Sequence, residues 1–359
     1  MTIIQSVGDA VPGWDAFVEG HPLGQFQQTS IWAEAKASER WKPRWVGVKQ
    51  GDAWRAGALI LQKRTRVGWI GFINKGPVVD AEDSEALAAL GSAFTAAQRE
   101  AGYLALMVQP PDGGDFMGDW LRQRGFQRET VARMAEATLL IDVSGGWETV
   151  HGRFRRTTRR EIRQGFERGV ALVEGAPEDV PDFFALMKST CQRQGARPSP
   201  GTVEEARVLV NAFASKGKAL LWFAVHEGRR VAGGLAFRFG NRVSFWKKGW
   251  DQSANEMHVN TLTTAHVIRW AAEHGFRWLD FGMMDRDTAE AMVRGTELPK
   301  DLTSRRDFFN LGFGGQGLLM PPSLIRFRNP ILSLGYRLGT LGPMRETTRR
   351  LLAKVGMSV

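Results

Sequence analysis

The sequence predicts an α/β chain of two similar units, each a mixed sheet with helices packed on it. Its 359 residues are long for one core and suit two domains of ordinary size. One order of elements, with strands meeting at tight turns and a long helix before a last strand, occurs twice. Two stretches also match residue by residue. WVGVKQGDAWRAGAL from Trp45 aligns with WFAVHEGRRVAGGL from Trp222, with a one-residue gap in the turn, and EAGYLAL from Glu100 aligns with EHGFRWL from Glu273. Two matches in the same order point to two copies of one unit.

The first copy opens with QTSIWAEAKAS, Gln28 to Ser38, a short helix with Thr29 or Ser30 as N-cap and Ile31, Trp32 and Ala35 turned inward. Trp45 to Val48 alternates as a strand, Gln50-Gly51-Asp52 turns the chain, and Ala56 to Gln62 returns. Trp69 to Asn74 is a third strand that ends at the Gly76-Pro77 turn. Ser84 is the expected cap of a helix to Ala101, Gly102 ends it, and Tyr103 to Gln109 is extended. In the second copy Asp182 to Gln192 is an amphipathic helix. Leu220 to Val225 and Val231 to Phe239 form a hairpin about Glu227-Gly228, and Val243 to Lys248 follows the Gly240-Asn241 turn. Asn260 to Glu273 is helical, Gly275 ends it, and Trp278 to Phe281 is a strand. A hairpin, a third antiparallel strand, a helix and a further strand is the core order of the GNAT acyltransferase fold. The expected architecture is therefore two tandem GNAT-like domains, residues 1–148 and 149–319.

The most unusual stretch lies at the expected junction. HGRFRRTTRREIRQGFERGV, His151 to Val170, carries seven arginines against Glu161 and Glu167. On one helix Arg156, Arg159, Arg160 and Arg163 fall at i, i+3, i+4 and i+7, and so share a face. Phe154, Ile162 and Phe166 fall on another side and are the expected anchors. With Arg155, this face is a candidate anion site, although a solvated charged surface explains the same spacing. The formal net charge is +10 and the sequence pI about 10.1. That balance favours a partner carrying phosphate, whether nucleic acid, nucleotide-sugar or lipid head group. Cys191 is the only cysteine, so an intrachain disulfide is excluded and a reducing, cytoplasmic setting is expected. The start of the chain lacks a signal-peptide pattern, and no window reaches the roughly 18 to 20 apolar residues of a membrane helix. The histidines at 21, 151, 226, 258, 266 and 274 show no metal-ligand spacing. A G-x-S-x-G elbow and a Walker A sequence are also missing. No metal or cofactor is expected.

FQQTSIWAEAKAS near the start, RRTTRREIRQGFERGV at the junction and FFNLGFGG from Phe308 together resemble the FemX/FemAB family. These are tandem-GNAT aminoacyltransferases that extend peptidoglycan peptides from aminoacyl-tRNA. The order and spacing fit from about residue 20 to 320. The coiled-coil arm of some members has no counterpart, so the chain looks like the compact, FemX-like form, a resemblance that implies segment 320–359 completes the first domain. The resemblance implies aminoacyl-tRNA as donor, a nucleotide- or lipid-linked peptidoglycan precursor as acceptor, and substrate in an interdomain cleft. It also implies a phosphate-holding role for Lys36, which otherwise reads as a helix-end lysine, and a ligand role for Asn260, which reads equally well as a helix cap. Two positions depart from the family. The lysine that usually follows the aromatic residue before GFGG, proposed to stabilise charge on the reacting carbonyl, is Asn310 here, after Phe309. The arginine followed four residues later by tyrosine is matched only by Arg197, with Gly201 in the tyrosine's place.

Peptide-bond formation from an activated ester requires an amine to be positioned and to lose a proton, and an oxyanion to be stabilised. An amide such as Asn310 supplies a hydrogen bond worth about 3 kcal/mol in favourable cases, but no charge. The other candidate polar groups are Lys247 and Lys248 at the end of the third strand and Asp280 in WLDFG, either as a supporting base or as a turn residue. An acyl-CoA-dependent N-acyltransferase acting on an exopolysaccharide, sugar-amine or lipid precursor is the alternative. Neither GPVVDAEDSE nor GWDQSANEMHVN, however, carries the glycine loop that binds CoA pyrophosphate. An RNA- or envelope-binding protein without catalysis is a second alternative. From Gly317 onward, apolar residues alternate with Arg326, Arg328, Arg337, Arg345, Arg349 and Arg350. This segment either rests on an anionic inner membrane face or packs back, from Leu332 to Lys354, on the first domain.

Overall fold

The computed structural model describes residues 1–132, 134–340 and 346–347. Two compact units result, one of Met1–Met134 with the chain from Met320 onward, the other of Ala135–Leu319. The boundary expected at residue 148 therefore moves to 134/135. The reason is a strand, Ala137–Asp142, that hydrogen-bonds into the second sheet, with Leu279 opposite Ile141 and Leu318 opposite Thr138.

In chain order, the first unit contains strands β1 (Thr2–Val7), β2 (Lys42–Gln50), β3 (Ala53–Arg64), β4 (Trp69–Asn74), β5 (Val78–Val79), β6 (Ala105–Gln109) and β7 (Gln127–Arg128). Its helices are α1 (Trp14–Gly20), α2 (Ser30–Ala37), α3 (Ser84–Ala101) and α4 (Met117–Arg122). The second unit contains β8 (Ala137–Asp142), β9 (Ala171–Gly175), β10 (Ala219–His226), β11 (Arg229–Phe239), β12 (Arg242–Trp250), β13 (Trp278–Asp280) and β14 (Gln316–Leu319). Its helices are α5 (Gly146–Gly152), α6 (Arg156–Glu167), α7 (Val180–Arg193), α8 (Val203–Ala214), α9 (Val259–Glu273), α10 (Arg286–Arg294) and α11 (Arg306–Asn310). The chain then returns to the first unit through β15 (Leu324–Phe327) and α12 (Pro330–Gly339).

The first sheet runs β1-β2-β3-β4-β6-β15-β7, with β5 on β3, and the second runs β14-β8-β13-β12-β11-β10-β9. The repeat lies in their centres. In each, a hairpin and a third strand pair antiparallel, and a helical crossover delivers the next strand parallel to the third, β6 beside β4 and β13 beside β12. Each hairpin is bulged near its turn, at Val48/Lys49 in one and Ala224/Val225 in the other. The aligned Trp45 and Trp222 are both core residues. Gly102 and Gly275 take positive φ, 66° and 75°, as the helices give way to β6 and β13. That is the αL ending for which glycine is best suited.

The motif near Gln28 has a structural basis. Gln28 is fully buried, donates Nε2 to the Asn74 carbonyl at 2.7 Å and accepts from the Leu59 N–H at 2.8 Å. Trp14 Nε1 donates to the Gln28 carbonyl at 2.6 Å. One amide thus serves two strands whose backbone groups would otherwise be buried unpaired. Thr29 caps α2 by accepting from Trp32 N–H, and Ile31, Trp32 and Ala35 are buried. The cap of α3 is Asp83, which accepts from Ala86 N–H, instead of the expected Ser84. Asn260 does not cap α9 either. His258, at φ 55°, precedes the helix with no side-chain cap, and Asn260 lies within its first turn.

The arginine stretch is two helices, α5 and α6, broken at Arg153–Arg155. The single-helix geometry thus fails at its start, and Phe154 reaches the core from the break. Ile162 is buried as expected, but Phe166 is 50% exposed and does not anchor the helix. Instead α6 is drawn onto α9 at Gly165, where a Cβ would lie 2.5 Å from Leu262 Cδ1. At the return to the first unit, Tyr336 of α12 is buried and donates to Glu129 Oε1 at 2.8 Å. Arg345, Arg349 and Arg350, and much of the Leu332 to Lys354 span, lie outside the described residues. Among the described residues no helix is long and apolar enough to cross a membrane.

Candidate active site

The FFNLGFGG motif organises one side of the second unit. Phe313 is buried against Phe154, with ring centroids 5.2 Å apart, and against Phe309 at 5.4 Å. A Cβ on Gly312 would lie 2.7 Å from Thr158 Oγ1, and one on Gly315 2.7 Å from the Leu140 carbonyl oxygen. The glycines therefore permit α11 to approach α6 and the sheet. Arg155 fastens that approach. Its N–H donates to the Gly312 carbonyl at 2.9 Å, its Nη1 donates to the Phe308 carbonyl at 2.9 Å, and its guanidinium lies over the Phe308 ring. Arg155 is thus committed to joining α6 and α11, in contrast to the arginines that follow it.

Arg156, Arg159, Arg160 and Arg163 are all exposed on α6 and, with His151, Thr157 and Ile162, line an open groove of about 730 Å³. Arg159 donates to the Gly152 carbonyl at 3.2 Å and Arg163 pairs loosely with Glu167 at 3.6 Å. Arg156 and Arg160 have no acidic partner among the described residues. Glu161 faces elsewhere, accepting from Thr261 Oγ1 at 2.9 Å.

Behind the motif, β12 brings Lys248 to Phe309. Lys247 and Lys248 do not form one site, because neighbouring strand residues take opposite faces. Lys247 lies over Trp246, whereas the Lys248 amine is 4.1 Å from the centre of the Phe309 ring and 5.7 Å from that of Phe245. It also donates to Thr264 Oγ1 at 3.4 Å, and Thr264 in turn donates to the Asn260 carbonyl at 2.8 Å. The Lys248 side chain as a whole is half-buried, but protein packs around its amine. Desolvation, with a smaller contribution from the nearby positive Arg306, lowers its pKa from 10.5 to about 7. The ring faces favour the ammonium by about 0.5–2 kcal/mol, too little to offset that desolvation. Asn310, next to Phe309, is buried, and among the described residues its Oδ1 has no hydrogen-bond partner. Asn260 Oδ1 is likewise buried and unpartnered. Three polar groups of α9, α11 and β12 thus hold unused hydrogen-bonding or proton-accepting capacity.

The other sequence candidates lie apart from this cluster or are already engaged. Asp280 is buried, but Oδ1 accepts from Thr138 Oγ1 and from Gly282 N–H at 2.8 Å, while Oδ2 pairs with Arg242 at 3.2 Å. A carboxylate so held is a turn and ion-pair residue. Lys36 pairs with Glu39 at 2.5 Å and lies over the Trp32 ring in the first unit. Arg197 is exposed in the loop after α7. Cys191 is half-buried on α7. Among the described residues no group of three His, Cys, Asp or Glu side chains is placed to hold a metal.

Sequence reasoning missed the pair Lys75–Asp112. Lys75 Nζ lies 2.7 Å from Asp112 Oδ1 and 2.9 Å from Met320 Sδ, and both charged residues are buried in the first unit. The signal was faint, a lysine in NKGP and an aspartate in PPDGG, both in loops where charge is ordinary.

Residues 12–116 match the FemAB family and residues 152–289 match an acetyltransferase (GNAT) domain. The chain is 29% identical over 194 residues to the lipid II:glycine glycyltransferase of Staphylococcus aureus, an alignment covering 50% of this chain and 46% of that protein. It therefore spans about half the length of the curated relatives it matches. A crystal structure of FemX superposes with a TM-score of 0.79 at 18% identity, covering 94% of this chain and 99% of the other. The structure of L-PGS from Bacillus licheniformis follows at 0.57 and 14%, covering 94% and 98%. A tandem GNAT protein from the clavulanic acid biosynthesis pathway follows at 0.50 and 12%, covering 92% and 99%. The chain is a tandem GNAT fold, with FemAB-family sequence in its first unit and GNAT acetyltransferase-domain sequence in its second.

Proposed function

We propose that the protein is an aminoacyltransferase that moves an amino acid from aminoacyl-tRNA to the amine of a peptidoglycan precursor in cell-wall biogenesis. The observation that carries this reading is the junction at Arg155. It ties an exposed arginine face, suited to a phosphate backbone, to the helix that bears Phe309 and Asn310 beside Lys248. A polyanionic donor with a reactive ester at one end fits such a pairing. Similarity to the lipid II:glycine glycyltransferase supports a peptidoglycan precursor as acceptor.

The test is transfer of radiolabelled amino acids from a charged total-tRNA pool to a nucleotide-linked muropeptide, with and without ribonuclease, beside a parallel acyl-CoA assay. Ribonuclease-sensitive product is expected. Product formed only with acyl-CoA would assign the protein to the alternative that its GNAT acetyltransferase match favours.

The same reading puts the protein at the inner face of the membrane for a lipid-linked acceptor. Its support is α12, which exposes Ile331, Leu334 and Leu338 by 76%, 57% and 51% at i, i+3 and i+7, close in sequence to Arg328. Co-sedimentation with anionic vesicles at low salt is expected, and Ile331→Glu with Leu334→Glu should abolish it. Equal pelleting of wild type and variant would remove the helix from that role.

A further inference from the structure

Among the lysines, those at 36, 75 and 248 show two ways of holding an amine out of full solvent. Lys36 has Glu39 and Lys75 has Asp112, each at ion-pair distance. Lys248 has two aromatic rings and a threonine hydroxyl instead. From α11 the groups acting on it are Phe309 and the positive Arg306, from α9 Thr264, and from its own strand Phe245. No carboxylate among the described residues pairs with it. An amine so enclosed is held without a counter-ion, which favours the neutral, proton-accepting form.

Its position also matters. Phe309 and Asn310 are consecutive on α11, so the amine lies beside the residue that precedes a buried amide with an unpartnered oxygen. Asn260, one turn before Thr264 on α9, offers a second unpartnered amide oxygen. Carbonyl oxygens of this kind accept hydrogen bonds from an incoming amine, and the lysine nitrogen can take its proton. Asp280, the acidic candidate in the sequence, has its oxygens occupied by Thr138, Gly282 and Arg242.

We infer that Lys248 is the general base of the transfer reaction, taking the proton of the acceptor amine while the Asn260 and Asn310 side chains orient that amine. The inference rests on the aminoacyl-transfer reading. In the step, the neutral acceptor nitrogen bonds to the ester carbonyl carbon and its proton passes to Lys248 Nζ. The tetrahedral intermediate then collapses with cleavage of the bond to the ribose oxygen. Lys248 returns the proton to that oxygen, leaving the amide, free tRNA and a neutral lysine.

The experiment combines pH–rate profiles of the wild type, Lys248→Met and Lys248→Arg with NMR titration of ¹³C-methylated lysines, the Lys248 signal being assigned by its loss in Lys248→Arg. A wild-type rate that rises with pH to a plateau, half-complete near pH 7, is expected, with the NMR midpoint at the same pH. Lys248→Met should lower kcat about 100-fold or more with little change in KM. Lys248→Arg, which keeps the charge but cannot deprotonate, should not restore it. An arginine variant within tenfold of wild type would reassign Lys248 to charge stabilisation and overturn the inference, as would an NMR midpoint above pH 9. Circular dichroism melting of both variants separates loss of chemistry from loss of fold. Wild-type protein without aminoacyl-tRNA-dependent product defeats the transfer reading itself, whereas transfer that survives Lys248→Met defeats only the role of the lysine.

Discussion

Alanine at Arg156, Arg159 and Arg160 will flatten the salt dependence of tRNA binding by roughly 2 to 3 in the slope of log K against log salt. Each phosphate neutralised contributes about 0.7 to 0.9 to that slope through counterion release. The deficit of the variant will therefore be about 16-fold larger at 50 mM salt than at 200 mM, because a fourfold change in salt enters to at least the second power. The side chains are exposed, and among the described residues Arg156 and Arg160 have no acidic partner to compete with phosphate. Stability should change little, apart from the bond from Arg159 to the Gly152 carbonyl. The matching lysine triple keeps the charge and should keep the slope, which distinguishes counterion release from lost packing. Arg155 is left out because its bonds to Gly312 and Phe308 make it part of the framework. Filter binding or fluorescence anisotropy across a salt series is the measurement. An unchanged slope with intact folding would return α6 to the status of a solvated charged surface.

The sequence revealed the repeat because strand pairing and turn chemistry leave local traces. Trp69–Asn74 was legible end to end, an apolar run closed by a Gly-Pro turn. Both hairpins were legible from Gln50-Gly51-Asp52 and from Glu227-Gly228, whose φ values are positive at Gly51, Glu227 and Gly228. Elements without such punctuation were lost. Strand β1 is an edge strand exposed at both ends, with no alternation to mark it. Helix α1 starts after Gly13 at φ 76° with no side-chain cap. Helix α8 carries a signal, a capping box of Thr202 and Glu205, but it follows directly on the Gly- and Pro-rich loop 195–201, whose turn chemistry masks it. Helix α6 shows the limit of periodicity. Its arginine face was legible from spacing, but Phe166 follows the same arithmetic and is exposed, because Gly165 rather than Phe166 meets α9. The candidate site was half legible. Lys248, Asn260 and Asn310 were all singled out, yet nothing local separates a strand lysine enclosed by aromatic rings from its neighbour over Trp246. That distinction depends on which rings the fold brings from α11, some 60 residues away in sequence.

The second large effect is on stability. Replacing Lys75 by methionine will destabilise the protein by about 3–5 kcal/mol, the usual cost of removing one member of a buried ion pair and leaving the other charge uncompensated. Lys75 and Asp112 have side-chain exposures of 8% and 5%, and their 2.7 Å contact is charge-assisted. Solvent screening therefore offers little relief, in contrast to the exposed pair of Arg122 with Asp119. The position adds to the constraint. Lys75 is a non-glycine residue at φ 55°, between β4 and Pro77, and the next N–H, that of Gly76, donates to the Gln109 carbonyl at 3.0 Å. The ammonium also contacts Met320 Sδ, which leads into β15 and so joins the returning chain to the loops after β4 and β6. A buried pair of this kind need not be worth much against an apolar replacement of both partners. The double variant Lys75→Met with Asp112→Leu should therefore recover most of the loss. Urea unfolding of the two single variants and the double variant closes the cycle. If instead the single losses add in the double variant, the two residues act independently, and the buried contact is not what holds these loops together.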